Sequence, residues 1–333
     1  MFGRRETALI AAGAAALSLA IGACGSGGSG DSSSAAQAAS QPAPPASAFP
    51  PAGSKTLDQI LSSSHAQHSN LVVSPTGRVF EPGENRFGFG VFTVSRQQVT
   101  DAQVAIYAAP SGGGKATGPY PASIDSLAVS PQFESKTTRT DPDAAHAVYV
   151  THLNLDHAGD WDMIALIKQG DGYSATLMPT THVGGFDRIP AVGQRPPAIH
   201  TPTAEDVHGD LSKIDTRTPP DDMHAVDFAD ALGKEPIVLL FATPALCQSR
   251  TCGPVVDVAE EVKSQYGDKV DFIHMEVYKH NNASDGIRPQ LQAFGLTTEP
   301  WLFVIDRSGV VSTRIEGGFG ATELESAVKK VAG

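Results

Sequence analysis

Residues 236–241, Pro236-Ile237-Val238-Leu239-Leu240-Phe241, form an uninterrupted apolar run. Successive side chains of a strand face opposite sides, so such a run needs apolar cover on both faces. A central strand with helices on either side of its sheet provides it. The neighbouring residues supply those helices. Phe228–Leu232, stopped by Gly233, reads as a short helix. Cys252 to Tyr266 places Val255, Val258, Ala259 and Val262 at helical spacing, with Glu260, Glu261 and Lys263 elsewhere. Val270–Val277 is a second strand, and Leu291–Phe294 leads through Gly295 to a third, Glu299–Asp306. Arg307-Ser308-Gly309 turns the chain into Val310–Ile315, and Thr322–Val331 is a closing helix. The alternation makes 221–333 an α/β domain.

The upstream half has strands without helices between them. Arg86–Val94, Gln103–Tyr107, Ala147–Leu153 and Trp161–Leu166 carry strand-like patterns, separated by turn clusters such as Glu81–Asn85 and Pro110–Gly114. Several short strands of this kind predict an all-β, immunoglobulin-like sandwich over 68–193. His157-Ala158-Gly159-Asp160-Trp161 resembles the "aG-x-W" corner of extracytoplasmic accessory domains of the FixH and YtkA kind. A Pro-rich stretch, 194–220, is the expected linker between the two domains.

The first residues set the compartment. Arg4 and Arg5 precede an alanine-rich apolar run from Ala8 to Ala23, the order of a secretory signal peptide over 1–23. Ile21-Gly22-Ala23-Cys24 resembles the bacterial lipobox, which implies lipidation at Cys24 and attachment to the outer face of the cell membrane. Residues 24–54 are Ser, Ala, Pro, Gly and Gln with almost no large apolar side chain, so a flexible tether is expected. The net charge of −12 argues against nucleic acid and against a polybasic membrane-binding face. Outside the cytoplasm disulfides persist, and Cys247 and Cys252 are the two cysteines left beyond Cys24.

Pro300-Trp301-Leu302-Phe303-Val304-Ile305-Asp306-Arg307-Ser308-Gly309 is similar to the "P-x-x-F-x-I-D-x-x-G" hairpin of the thioredoxin superfamily, TlpA proteins included. With the surrounding strand and helix order, the resemblance covers about the last 120 residues and implies a thioredoxin-like fold. It also implies that Pro300 is cis and flanks the redox cysteine. In thioredoxins a strand phenylalanine precedes the helix proline by thirteen residues, as Phe241 precedes Pro254 here, and Pro254-Val255-Val256-Asp257 follows. That register places Cys247 one position after the family's nucleophile and Ser249 at its second cysteine. The visible Cys252-Gly253-Pro254 is then a coincidental match, and Cys252 is expected inside the first turns of the helix.

Residues five apart in a helix have Cα atoms about 8.6 Å apart, whereas a disulfide needs less than about 7 Å. Cys247 and Cys252 can therefore bond only if Cys247 lies in the loop before the helix, or if the first turn opens. A thiolate at Cys247 would be favoured by the helix N-terminus and by Arg250, with Cys252 resolving the mixed disulfide. The leading expectation is a membrane-tethered thiol–disulfide oxidoreductase using Cys247, Cys252 and Pro300, acting with an unnamed redox partner and no cofactor. A non-enzymatic binding lipoprotein with a structural cysteine pair is the alternative. Thr243-Pro244-Ala245-Leu246-Cys247 also resembles the motif of bacterioferritin-comigratory peroxiredoxins with one extra residue, but Glu299 stands before Pro300 where an arginine would be needed. Metal capture by Cys247, Cys252 and His274, by analogy to Sco proteins, ranks last, since their cysteine spacing is shorter. His65, His68, His146, His152 and His157 lack the close spacing of a metal site. No metal ligands are therefore assigned.

Overall fold

In the computed structural model, residues 38–333 are described. The expected signal peptide, Cys24 and the first part of the expected tether lie outside them.

The first half contains a helix α1 (Leu57–Ser64), strands β1 (Gln67–His68), β2 (Leu71–Pro75), β3 (Gly83–Thr93), β4 (Val104–Pro110), β5 (Thr117–Pro121) and β6 (Ser123–Ser126), and a one-turn helix α2 (Lys136–Thr140). Strands β7 (Ala147–Leu155), β8 (Gly159–Gln169), β9 (Gly172–Leu177) and β10 (Thr181–Val183) follow. They make two sheets, β2-β3-β7-β6 and β1-β9-β8-β4-β5, with β10 added to β8. Phe87, Phe89 and Tyr149 of the first sheet share one core with Ile106, Trp161 and Met163 of the second. The Trp161 indole N–H donates to the His157 carbonyl at 3.1 Å, closing the Ala158-Gly159-Asp160-Trp161 corner.

β4 is buried on both faces, which a strand of a simple two-layer sandwich is not. Its outer side chains Ala105, Tyr107 and Ala109 are covered by Phe49, Ala52 and Ile60. Residues 38–54, assigned to the tether by composition, are anchored at a few points: Ala38, Phe49 and Ala52 are buried, Phe49 at 3% exposure, and Gln41 bridges Ile124 of β6. One phenylalanine, worth about 1.5–3 kcal/mol when buried, anchors a segment whose average composition reads as disordered.

The second half contains α3 (Phe228–Ala231), β11 (Ile237–Ala242), α4 (Cys252–Tyr266), β12 (Asp271–Glu276), α5 (Pro289–Ala293), β13 (Trp301–Ile305), β14 (Val311–Glu316) and α6 (Ala321–Lys329). The sheet order is β12-β11-β13-β14, with β11 parallel to β12 and the other pairs antiparallel. Alternation along β11 works as its sequence requires. Val238, Leu240 and Ala242 pack with Val255, Val258 and Val262 of α4 and with Leu324 and Val328 of α6. Ile237, Leu239 and Phe241 pack on the other face with Phe228, Leu291 and Phe294.

The stretch 194–220 differs from a solvated linker. Thr201, Ile214, Asp215 and Arg217 are all buried, as are Asp221, Met223 and His224 just beyond it. Local backbone bonds, with a 3-10 turn at Leu211–Lys213, satisfy part of this stretch, and its buried polar side chains join the network described below.

Candidate functional site

Cys247 lies in the loop between β11 and α4, and Cys252 is the first residue of α4, with a Cα–Cα separation of 5.9 Å and a disulfide between them. Of the two geometries open to this spacing, the loop position of Cys247 is the one adopted. Cys252 stands at the helix start and not inside its first turns, so no turn has to unwind.

The helix entry explains what surrounds the sulfur. Thr251 occupies the N-cap position without capping through its side chain. The first helical N–H groups need acceptors, and the Cys252 N–H points at Cys247 Sγ at 3.4 Å. Ser249 Oγ lies 3.2 Å from the same sulfur and 2.8 Å from Thr251 Oγ1. A thiolate at Cys247 would therefore meet a helix N–H, a hydroxyl and the positive end of a four-turn helix, all of which favour the charged form. Arg250 does not join them. Its guanidinium is held by Asp141 of the sandwich at 3.0 Å.

Pro300 reaches this end of the sheet through register. Trp301 pairs with Phe241, so Pro300 stands beside the exit of β11 at Ala242. The Glu299–Pro300 bond is cis, and the Pro300 carbonyl accepts from Gly317 N–H at 2.9 Å.

The sandwich covers the motif. Ala145 N–H donates to the Arg250 carbonyl at 3.0 Å, Thr138 packs against Gly253, and Ser135 donates to Asp257 of α4. Cys252 is fully buried and Cys247 is 5% exposed. Beside them a cleft of about 500 Å³ is lined by Lys136, Thr140, Asp141, Thr216, Pro244 and Arg250. It opens against the loop that carries Cys247.

Under the α4 face of the sheet lies a second polar assembly. β12 alternates, with Ile273 and Met275 turned to the apolar side and His274 and Glu276 to the other. His274 Nδ1 meets Asp221 Oδ2 at 2.7 Å and its Nε2 meets the Ala242 carbonyl at 3.1 Å. Asp215 and His224 complete the group, and all four side chains are at most 2% exposed. Burial alone would lower His274, but Asp221, then Asp215 and Glu276, carry it up to about 10. Asp221, raised by burial, is brought well below the carboxylate range chiefly by His274. Burial pushes Glu276 to about 7. Thr216 links this group to the motif loop, its Oγ1 accepting from Ala245 N–H at 3.1 Å and lying 3.3 Å from Glu276.

His274 is thus gathered with Asp215, Asp221 and His224, and not with the cysteines. Sequence reasoning assigned the strand role of His274 and missed its partners. A signal existed in β12, where a histidine and a glutamate stand on one face of an otherwise apolar strand. Nothing in 194–224 singles out Asp215, Asp221 or His224 without the fold.

No protein family model matches the chain, and no curated protein matches it. Among solved structures, a candidate thiol:disulfide interchange protein DsbE from Chlorobium tepidum is similar at 17% identity and a TM-score of 0.32, covering 43% of this chain and 99% of that one. A thioredoxin-family thiol:disulfide interchange protein from Chlorobium tepidum TLS is similar at 19% identity and a TM-score of 0.31, with the same coverages. A likeness of this extent carries nothing about activity. The strand order β12-β11-β13-β14, with α4 joining the parallel pair β11 and β12, is an α/β arrangement in keeping with the alternation of strands and helices in the sequence.

Proposed function

We propose that the chain is an extracytoplasmic thiol–disulfide oxidoreductase with Cys247 as the attacking and attacked sulfur. The observation that carries this reading is the disulfide at the N-terminus of α4, with two hydrogen-bond donors aimed at Cys247 Sγ. In the oxidising direction, a substrate thiolate attacks Cys247 Sγ, the Cys247–Cys252 bond breaks, and Cys252 leaves as thiolate. The second substrate thiol, deprotonated, displaces Cys247. Two electrons pass from the substrate dithiol to the cysteine pair, and the reverse sequence reduces a substrate disulfide. Cys252 is fully buried, whereas Cys247 keeps 5% exposure in the loop whose Pro244 and Ala245 line the cleft, which favours Cys247 as the attacked sulfur.

The sandwich is read as immunoglobulin-like and as a docking module for the redox partner. Attachment to the membrane through a lipid on Cys24 rests on the Ile21-Gly22-Ala23-Cys24 motif. Among the described residues no helix is long and apolar enough to cross a membrane. Cys24→Ser should release the protein from the membrane fraction.

The depth at which both cysteines are buried favours a second reading, a structural disulfide in a binding protein. The deciding experiment compares the parent chain with Cys247→Ser and Cys252→Ser in reduction of a protein disulfide. Activity lost in both, with Cys252→Ser trapping a mixed disulfide, supports the redox reading. An inactive parent, or a reduction potential below about −300 mV, supports the structural one.

A further inference from the structure

The group Asp215, Asp221, His224 and His274 has no part in thiol exchange, and its composition is unusual for an interior. Two carboxylates and two imidazoles lie in one sealed space, with their nearest ligand atoms all within 4.8 Å of one another. Buried charges need pairing or a metal, and Arg217, the nearest cation in sequence, is committed to Asp257 at 2.9 Å.

His224 is the informative member. It is 2% exposed, and neither ring nitrogen has a hydrogen-bond partner. Buried polar atoms left this way ask for an explanation. Its Nε2 faces Asp221 Oδ1 at 3.3 Å and Asp215 Oδ2 at 3.6 Å, aimed between the two carboxylates and aligned for a hydrogen bond with neither. That is how a ligand nitrogen points toward a shared centre.

The other distances agree with such a centre. His274 Nδ1 lies 2.7 Å from Asp221 Oδ2 and 3.9 Å from Asp215 Oδ1. Four ligands at zinc distances in a tetrahedron stand about 3.3 Å apart. One ligand atom from each of the four residues lies within 4.8 Å of the others, and the carboxylate–imidazole contacts of 2.7 to 3.9 Å fall on either side of that edge.

A supporting layer of hydrogen bonds is also present. His274 Nε2 faces the Ala242 carbonyl at 3.1 Å, the outer contact that orients a ligating histidine. Asp215 accepts from the N–H groups of Arg217 and Asp221, both at 2.7 Å, and Asp221 accepts from Met223 N–H at 3.0 Å. These bonds fix the carboxylates while leaving each oxygen a further lone pair.

We infer that Asp215, Asp221, His224 and His274 form a binding site for a tetrahedral divalent cation of the zinc class. Calcium and magnesium want six or more oxygens or retained waters, which this sealed set with two nitrogens does not offer. Ligation would displace the proton that the carboxylates hold on His274, leaving two carboxylates and two neutral imidazoles whose two negative charges one divalent ion cancels. The ion would pin the 215–224 segment to β12, so the site is structural and lies beneath the cysteine motif without using a thiol.

The test loads the purified full chain with zinc, removes excess by dialysis and measures metal by mass spectrometry alongside thermal unfolding. About one zinc per chain is expected, with a rise in the unfolding midpoint that magnesium does not reproduce. Cobalt loading should give the visible absorption of a tetrahedral site without a thiolate charge-transfer band. His224→Gln, which removes no hydrogen bond, should weaken zinc binding at least about tenfold, while a Cys247→Ser, Cys252→Ser double variant keeps full metal content. Zinc far below one per chain, undiminished binding by His224→Gln, or loss of metal with the cysteines would each overturn the assignment.

Discussion

Arg217 and Asp257 meet at 2.9 Å with side chains 6% and 1% exposed, a closed ion pair between the Pro-rich segment and the helix that begins at Cys252. The same guanidinium donates to the carbonyls of Pro219 at 2.9 Å and Phe133 at 2.8 Å, and Ser135 donates to the second oxygen of Asp257. Sandwich, linker and α4 are joined at one point. Burial pushes the Asp257 carboxyl up, against the pull of Thr138 and Arg217. Removing one partner strands the other charge. Asp257→Ala should therefore cost about 3–5 kcal/mol in urea unfolding, and Arg217→Met with Asp257→Leu should cost less than Asp257→Ala alone. A cost below about 1 kcal/mol for Asp257→Ala would show that the pair does not hold the domains together.

The Asp141–Arg250 bridge lies over the cysteine loop, with side chains 22% and 49% exposed. Pairs this exposed are worth about 0.2–1 kcal/mol. If the sandwich cover must lift before a thiol reaches Cys247, Asp141→Ala should speed reduction by a small dithiol up to about fivefold, the factor that 1 kcal/mol represents. Stopped-flow reduction of the parent and variant measures it. Equal rates would mean that the cleft already admits the reductant.

How far the sequence discloses such features follows from how local they are. The apolar run at 237–241 and the helical spacing after Cys252 are set by neighbours in sequence, and the observed β11 and α4 match them closely. Residues 38–54 and 194–220 behave differently, because what fixes them to the fold is a few contacts made far along the chain. Phe49 packs with Tyr107 and Leu166, and Arg217 finds Asp257. Average composition cannot register one anchoring side chain in thirty. The cysteine loop falls between these cases. Spacing limited Cys247 and Cys252 to two geometries, but the choice needed the position at which α4 begins. Arg250 was expected to assist Cys247 from proximity in sequence, and Asp141, more than a hundred residues away, holds it instead.

Gly317 follows β14 at the turn into α6 with φ +83°, and a Cβ there would collide with the Thr76 backbone of the sandwich. Neither part can yield, since Thr76 N–H is bonded to Gly88 in the β2–β3 hairpin. Gly317→Ala combines backbone strain with overpacking and should cost about 2–4 kcal/mol. Its neighbour provides the control. A Cβ on Gly318 would meet Val148 and Thr251 at 3.5–3.6 Å, ordinary contact distances, so Gly318→Ala should cost under about 1 kcal/mol. Equal effects at the two positions in urea unfolding would remove the steric explanation.

Glu316 at the end of β14 accepts from Arg78 N–H and Val79 N–H of the sandwich, both at 2.8 Å, and from the Thr298 hydroxyl at 2.6 Å. Burial nevertheless outweighs these bonds and raises its pKa. A raised carboxyl holds its proton more tightly in the folded chain than in the unfolded one, where it titrates near 4.3. Its contribution to stability is then fully present below that value and is lost as pH rises through the folded pKa. Glu316→Gln keeps an acceptor for both backbone donors and cannot ionise. The stability of the parent minus that of Glu316→Gln should therefore fall as pH increases from about 4.3 toward neutrality. Thermal unfolding of both proteins across this range reads the difference. A flat difference would mean that burial and the hydrogen bonds cancel, and a rising one that the bonds from Thr298, Val79 and Arg78 outweigh burial, so that the ionised carboxylate is the form that joins β14 to the sandwich.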